Sequence, residues 1–379
     1  MRKARRTRYN CLVINGNNRK KIVVALVAPF VAYLLLVARP IPREEVLAPM
    51  WISSLDSARP VLLGDAALAA PPMPFVLSDR HGFASGDGNL TVNRAAGERV
   101  SVAAGRWAEF EAEPESVVVR GPAGEELFTI DAPGGYPFFQ DGRTFVMGAA
   151  QEFISEIGRS GETLWTFDFS SPVTSVSVAA GMLWAGSLDG TATLVDGSGR
   201  QAFSFEPGGS RFSVIVGTAI SGDGSRLAIL SGVDSQRFLA LERFGAGAGD
   251  FRVVYHQFVG EGFRRPAFVS FADNDRLVVF ESEAGLGFYD VGARSARFLE
   301  TDGRLCALDP DVDGGLLFAI FSRGSGDARE LVGISISGRE PRVYLRAPFR
   351  SESVFLGRSG SRLVVGGGRA MIAFSREEM

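Results

Sequence analysis

The sequence predicts an all-β protein, built as a single β-propeller behind one N-terminal transmembrane helix. Three observations support this: an uncharged apolar run at residues 22–38, the lack of helical periodicity from residue 75 onward, and a strand-and-turn unit that recurs about every 40 residues. Hydrophobic residues make up 46% of the 379-residue chain and charged residues 22%, which is ordinary for a protein that folds.

The N-terminus predicts membrane attachment. Residues 1–21 carry eight basic side chains and no acidic one, and residues 22–38 (IVVALVAPFVAYLLLVA) then run without a charge. This length is at the short end of a membrane span, and the positive-inside rule keeps the basic segment in the cytoplasm. A cleaved signal peptide is the alternative, but the residues after the run match a cleavage site poorly. We therefore expect an uncleaved, single-pass signal anchor in the inner membrane, with the C-terminal domain periplasmic.

A proline-rich stretch follows the predicted anchor. Residues 39–74 contain seven of the 18 prolines of the chain. Because proline disrupts helix interiors and sheet centres, we expect an extended linker here. The propeller is then expected to occupy residues 75–379.

Charge and residue types exclude several functions for the part after the anchor. Its 32 basic residues are outnumbered by 43 acidic ones, a net charge of −11, which argues against nucleic-acid binding. No lysine follows Lys21, so a Walker lysine, a Schiff-base lysine and a lysine general base are all excluded there.

Histidine and cysteine are too few and too scattered to predict a metal or catalytic centre. The chain contains only His81, His256, Cys11 and Cys306, and no two of them are close in sequence. Neither H-E-x-x-H nor G-x-S-x-G occurs. Each histidine fits a surface or strand position better than the role of a general base. We expect no catalytic residue and no cofactor.

Two kinds of run recur in order after residue 75. The first is a polar turn before a strand, as in GDGS before RLAIL, and the second is a strand, a glycine-containing turn and another strand, as in EFISEIGRSGETLWTF. Four strands per unit at this spacing indicate a propeller, for which eight blades fit best and seven are the alternative. The central strands of the second kind fall near residues 91, 118, 154, 193, 240, 288, 334 and 373.

Two irregularities of the repeat carry information. The interval from 91 to 118 is only 27 residues, so this unit must either lack a strand or be wrongly counted. The last copy, AMIAFSR, stops without its partner strand. Because ring closure removes exposed strand edges, we expect an N-terminal strand, such as the run Pro74–Leu77, to complete the last blade.

The repeat is similar to that of known propellers. Residues 161–167 (GETLWTF) and 182–205 (MLWAGSLDGTATLVDGSGRQAFSF) resemble the PQQ-like repeat of bacterial outer-membrane-assembly propellers and quinoprotein dehydrogenases, and the RLAIL copies resemble WD40-like bacterial propellers. The resemblance implies the fold more than the function. Those dehydrogenases have adjacent cysteines over their cofactor, whereas Cys306 is the only cysteine after the anchor.

One candidate ion site is present. Asp309, Asp311 and Asp313 match D-x-D-x-D-G, the start of a calcium loop. The twelfth position is Ile320, inside a strand, where a bidentate glutamate is wanted. We expect a polar turn without a tightly bound ion.

The sequence favours a non-catalytic scaffold or assembly factor that binds one or more envelope proteins. A ligand-sensing propeller and a hydrolase or dehydrogenase with its site at the central channel are the alternatives, and a small ligand is not excluded. Aromatic residues and arginine are enriched at interface hot spots. The segment HQFVGEGFRR therefore supplies the candidate partner-binding residues, which are Phe258, Phe263, Arg264 and Arg265.

Overall fold

A computed structural model describes Val27 and residues 45–56, 60–63, 70–97, 99–247, 249–324 and 326–378 of the chain. Eight antiparallel sheets lie in the compact unit Leu47–Ser375. The second unit, 1–46 with 376–379, contributes to the described residues only Val27 and the outer ends of two strands. The predicted eight-bladed, all-β propeller is confirmed, and the alternative of seven blades is wrong.

The blades differ in their number of strands. The first blade has three: β3 (Met73–Val76), β4 (Arg80–Ala84) and β5 (Leu90–Ala95). The last blade has five, in the order β2 (Pro60–Leu62), β1 (Glu45–Ser54), β32 (Ala370–Glu378), β31 (Arg362–Gly367) and β30 (Val354–Ser359).

The second to seventh blades each have four strands in chain order. Their strands are β6 (Arg99–Ala103), β7 (Arg106–Phe110), β8 (Ser116–Arg120) and β9 (Glu126–Asp131); β10 (Tyr136–Gln140), β11 (Arg143–Met147), β12 (Phe153–Ile157) and β13 (Thr163–Asp168); β14 (Val173–Ala179), β15 (Met182–Ser187), β16 (Ala192–Val195) and β17 (Gln201–Phe205); β18 (Ile215–Ile220), β19 (Arg226–Ser231), β20 (Gln236–Arg243) and β21 (Phe251–Gly260); β22 (Val269–Ala272), β23 (Leu277–Ser282), β24 (Gly285–Asp290) and β25 (Ser295–Glu300); β26 (Leu305–Asp313), β27 (Leu316–Ser322), β28 (Ala328–Ser335) and β29 (Arg342–Arg350).

The first strands of the blades form the inner ring. β3 contacts β6 and β6 contacts β10. From β14 onward, β14, β18, β22, β26 and β30 contact one another in succession, and β30 contacts β3. The predicted polar turns connect the first and second strands of a blade. At Ala180–Gly181, for example, φ is 51° and 74°, as a tight two-residue hairpin requires, and Ala179 pairs with Met182 across it.

An N-terminal strand completes the last blade, as expected, but it is not the predicted one. The run Pro74–Leu77 instead provides β3, the inner strand of the first blade. The closing strand is β1, whose fully buried Trp51 packs on Met73 and Phe75 of the first blade and on Met371 of β32. The Trp51 indole Nε1 also donates to Gly86 O at 3.0 Å.

The closing strand comes from the stretch 39–74, where an extended linker was the expectation. Pro60 is the first residue of its strand, opposite Ser53 of β1. Proline is tolerated at such a first position because no ladder hydrogen bond is lost.

The predicted anchor lies almost wholly outside the described residues. Of residues 22–38 only Val27 is described. No helix in the described part of the chain is long and apolar enough to cross a membrane.

Candidate functional site

A large cavity lies between the first and second blades. It is an open cleft of about 1080 Å³, bordered by β5 on one side and by β7, β8 and the segment between them on the other. In each four-stranded blade the fourth strand pairs with the third. Among the described residues no fourth strand lies beside β5, and the cleft borders this uncovered strand.

Burial of the third strands shows the effect of the missing strand. In the second blade, Val117 and Val119 of β8 are buried against the third blade, whereas Ser116, Val118 and Arg120 on the other face are exposed or half-buried. The corresponding strand of the third blade, β12, is buried at every position after its first. One face of β8 therefore lacks the cover that a complete neighbouring blade provides.

The backbone of β5 presents an unpaired edge to the cleft. Ala96 N donates to Asp79 O at 2.8 Å, and Arg94 pairs with His81 in the same register. Because backbone groups of successive residues in a strand point to opposite sides, those of Asn93 and Ala95 point away from β4. No described strand pairs with this side of β5.

The inner wall of the cleft is an arginine–tryptophan cluster. The Trp107 indole is almost completely buried and its Nε1 donates to Gly121 O at 2.9 Å. The guanidinium carbons of Arg94 and Arg120 lie 5.6 Å and 6.0 Å from the Trp107 ring centroid. Cation–π contacts of this kind hold both arginine stems in place along the wall.

His81 lies behind this wall. Its ring is fully buried, 5.1 Å from that of Trp107, and its Nε2 is 3.4 Å from Glu109 Oε1 without the alignment of a hydrogen bond. Burial lowers the pKa of His81; the Glu109 carboxylate acts against this and Arg94 reinforces it. A neutral imidazole in this position supports the wall and does not line the cleft.

The rim of the cleft carries excess negative charge. Glu109, Glu111, Glu113 and Glu115 stand at alternate positions along β7 and the segment that follows it. Arg94 pairs with Glu109 at 3.3 Å, and Arg120 pairs with Glu126 at 3.0 Å. Glu111, Glu113 and Glu115 are exposed, and none of them forms an ion pair with a residue of the described chain.

The candidate partner-binding residues lie elsewhere, after β21 and near its end. The Arg265 guanidinium lies 4.5 Å from the Phe263 ring centroid and binds both carboxylate oxygens of Glu281, at 2.7 Å and 3.0 Å. This pairing with Glu281 raises the pKa of Arg265. Phe258 and Arg264 are exposed. The structure thus joins Phe263 and Arg265 in one fixed contact, and shows Phe258 and Arg264 as separate exposed side chains.

The candidate calcium residues surround an arginine. Asp309 and Asp311 lie in β26 and Asp313 ends it, at the turn that leads into β27. Arg358 of the last blade binds Asp309 Oδ2 at 2.6 Å, donates to Asp311 O at 2.8 Å, and lies 3.7 Å from Asp313 Oδ2. Burial raises the pKa of Asp309 although Arg358 opposes this. In the described part of the chain, no group of three or more His, Cys, Asp or Glu side chains is placed to hold a metal ion.

A smaller cavity of about 380 Å³ lies along the inner strands β14, β18 and β22. Asp275 is the one carboxylate among its lining residues, and its Oδ2 accepts a hydrogen bond from Gly222 N at 2.8 Å. A pair of carboxylates for glycoside hydrolysis therefore does not line this cavity.

The cleft is the feature that the sequence analysis did not assign. Its signal was present as the 27-residue interval between 91 and 118, which marks the missing strand, and as four glutamates at alternate positions. That these two features meet at one site depends on the stacking of the first blade on the second.

The comparisons with known proteins agree with the fold. A chain from Treponema pallidum (strain Nichols), described as an uncharacterized protein, is 24% identical over 336 residues, which cover 83% of this chain and 88% of that one. BamB from Moraxella catarrhalis superimposes with a TM-score of 0.55 at 12% identity, covering 87% of this chain and all of that one. A chain of the Mitotic Checkpoint Complex gives a TM-score of 0.55 at 13% identity, covering 89% of this chain and 94% of that one.

Identities of 12% and 13% to the solved structures show a shared fold alone. The match to a family model is more extensive, because it runs over residues 12–375. The chain belongs to the family that this model describes, under the name beta-propeller protein.

Proposed function

We propose that this chain is a non-catalytic protein-binding propeller that serves as a scaffold or assembly factor in the bacterial envelope. The observation that carries the proposal is the cleft beside β5, which joins an unpaired backbone edge, a rigid aromatic wall and an acidic rim. Unpaired strand edges with exposed neighbours are sites of strand pairing between chains. In each of the other seven blades a further strand pairs with the third strand, whereas no described strand covers β5.

The envelope location is the second part of the proposal. Eight basic residues before an uncharged run of 17 support a single-pass anchor at 22–38 with the propeller on the periplasmic side. The likeness to the repeat of outer-membrane-assembly propellers supports the same location. One of the solved structures compared above is a chain of the Mitotic Checkpoint Complex, which is a multiprotein complex.

Photo-crosslinking in the cell tests the protein-binding function. Leu127 and Leu164 occupy the same position on the fourth strands of the second and third blades, and both are exposed. A photoreactive side chain at Leu127, beside the cleft, should crosslink a discrete envelope protein, and the matched one at Leu164 should not. Equal crosslinking at both positions, or none at Leu127, would contradict the proposal.

A fusion tests the location independently. Alkaline phosphatase joined to the C-terminus should be active, because that enzyme folds only in an oxidising compartment. An inactive fusion of a stable, full-length product would place the propeller in the cytoplasm. This result would remove the envelope part of the proposal and leave the binding site to be tested separately.

A further inference from the structure

The geometry points to β-strand addition as the mode of binding: we infer that a basic, extended peptide segment of a protein partner inserts into the cleft and pairs with β5 as the fourth strand of the first blade. This inference rests on the proposed function and specifies the partner. It combines the open edge of β5, the uncovered face of β8 and the charge of the rim.

The edge of β5 supplies the hydrogen bonds. The backbone groups of Asn93 and Ala95 point away from β4, and the register of Arg94 with His81 fixes this orientation. An antiparallel strand placed about 4.8 Å from β5 would pair with these groups as each fourth strand pairs with the third in the next six blades.

The second blade supplies the surface for the side chains of the inserted strand. Val118 of β8 is half-buried and lies on the face toward the first blade, whereas Ser155, at the equivalent position of β12, is buried by the complete second blade. Covering this face of β8 would remove apolar surface from water, which favours apolar residues at alternate positions of the peptide.

Charge complementarity defines the rest of the partner. Glu111, Glu113 and Glu115 are exposed along the rim and have no ion-pair partner in the described chain, whereas Arg94 and Arg120 are engaged by Glu109 and Glu126. Lysine or arginine at the ends of the strand, on the same face as the apolar residues, would meet these carboxylates. Complementary charge of this kind selects the partner and sets the register.

The probe is a labelled peptide of about nine residues, within the usual strand length, with valine at alternate central positions and, on the same face, lysine at both ends. We call it the lysine–valine peptide. Binding to the purified full-length chain is followed by fluorescence anisotropy. The lysine–valine peptide should bind. The same peptide methylated on its backbone nitrogens should not, and a glutamate–valine peptide should bind at least about tenfold more weakly.

Two substitutions of Asn93 distinguish the contribution of its backbone N–H to peptide binding from that of its side chain. Asn93 Nδ2 donates to Leu55 O at 2.6 Å, and this bond is lost in both Asn93→Ala and Asn93→Pro. Only proline also removes the backbone N–H of residue 93, which points away from β4. Asn93→Pro should therefore weaken peptide binding by a further roughly two- to tenfold relative to Asn93→Ala, the effect of one hydrogen bond.

A triple variant, Glu111→Gln, Glu113→Gln and Glu115→Gln, keeps the test decisive if Asn93→Pro does not fold. It should lower affinity for the lysine–valine peptide about tenfold and make the remaining binding insensitive to salt. Unchanged affinity in this variant would overturn the inference.

The other outcomes are also distinct. If the chain dimerises in sedimentation experiments and Asn93→Pro abolishes the dimer, β5 pairs with a second copy, and the inference is wrong. Failure of the lysine–valine peptide to bind would overturn strand addition, while a crosslink at Leu127 but not at Leu164 would leave the proposed protein-binding function standing.

Discussion

The first and last blades depart from the four-stranded pattern in opposite directions. The first blade has three strands and the last has five. The two departures have different origins. β1 and β2 precede β3 in the chain but pair in the last blade, where they extend the sheet beyond β32. In the first blade, β5 ends at Ala95 and the next blade begins at Arg99, so this short connection provides no fourth strand and leaves β5 with an open edge.

This comparison shows how a repeat protein can obtain a unique site. A repeat buries its face on the next repeat, so identical blades give identical surroundings. Here the β8 face toward the first blade is open, whereas β12 is buried on both faces. The binding site that we propose is thus a consequence of the short connection between β5 and β6.

Removal of the closing contact should have the largest effect on stability. Trp51→Ala should lower the free energy of unfolding by about 3–5 kcal/mol, because Trp51 is fully buried between the last and first blades. Phe258→Ala is the matched control, since Phe258 is 57% exposed, and should change stability by less than about 0.5 kcal/mol. Chemical denaturation measures both, and similar losses in the two variants would show that β1 does not close the ring.

The last blade is also attached on its other side, where Arg358 binds Asp309 of the seventh blade. Arg358→Met should destabilise the fold by about 3 kcal/mol, because it leaves a buried carboxylate without its partner. The double variant with Asp309→Asn should recover much of this loss in denaturation experiments. A double variant no more stable than Arg358→Met alone would argue against this pairing.

Stability should depend on His81 in a defined pH range. Because burial lowers the pKa of His81 below its usual 6.5, the unfolded chain binds this proton first as the pH falls. The free energy of unfolding should therefore decrease on acidification from about pH 7 through 6.5 toward the lowered pKa in the folded state. Glu109 and Arg94 are the charged groups that act on this ring.

A variant without this imidazole provides the control for that measurement. His81→Gln should make the loss of stability between pH 7 and pH 5 less steep than in the unaltered chain. Identical slopes in the variant and the unaltered chain would mean that the buried imidazole does not titrate as its surroundings predict.

Calcium should have the smallest effect. Because the Arg358 guanidinium lies among Asp309, Asp311 and Asp313, millimolar calcium should shift the melting temperature by less than about 1 °C. A rise of several degrees that Asp311→Ala abolishes would show that the cation displaces Arg358 and that the aspartates form an ion site.

Much of the fold could be predicted from local patterns. The eight expected central strands correspond to the third strands of the eight blades, from β5 near residue 91 to β32 near residue 373. Turn residues and alternating apolar runs are local signals, so a repeat makes them recognisable. Of the two explanations for the interval of 27 residues, the missing strand is confirmed in the described chain.

The closing strand and the site depended on long-range contacts. Pro60 argues against a strand by propensity, and only its position as the first residue of β2, opposite Ser53, shows why it is tolerated. Likewise, Asp309 and Arg358 are 49 residues apart, and no local pattern joins them. The cleft depends on packing between blades, which a single-sequence pattern does not specify.

Amide hydrogen exchange at the two outer edges tests the central claim most directly. Leu55 N donates to Arg369 O, so the alternate amides of Met371 and Ala373 face β1 and should be strongly protected. The amides of Asn93 and Ala95 on β5 should exchange rapidly in the free chain and become protected when the lysine–valine peptide binds. Unprotected Met371 and Ala373 would show that β1 does not complete the last blade, and protected Asn93 and Ala95 in the free chain would show that the edge of the first blade is not open.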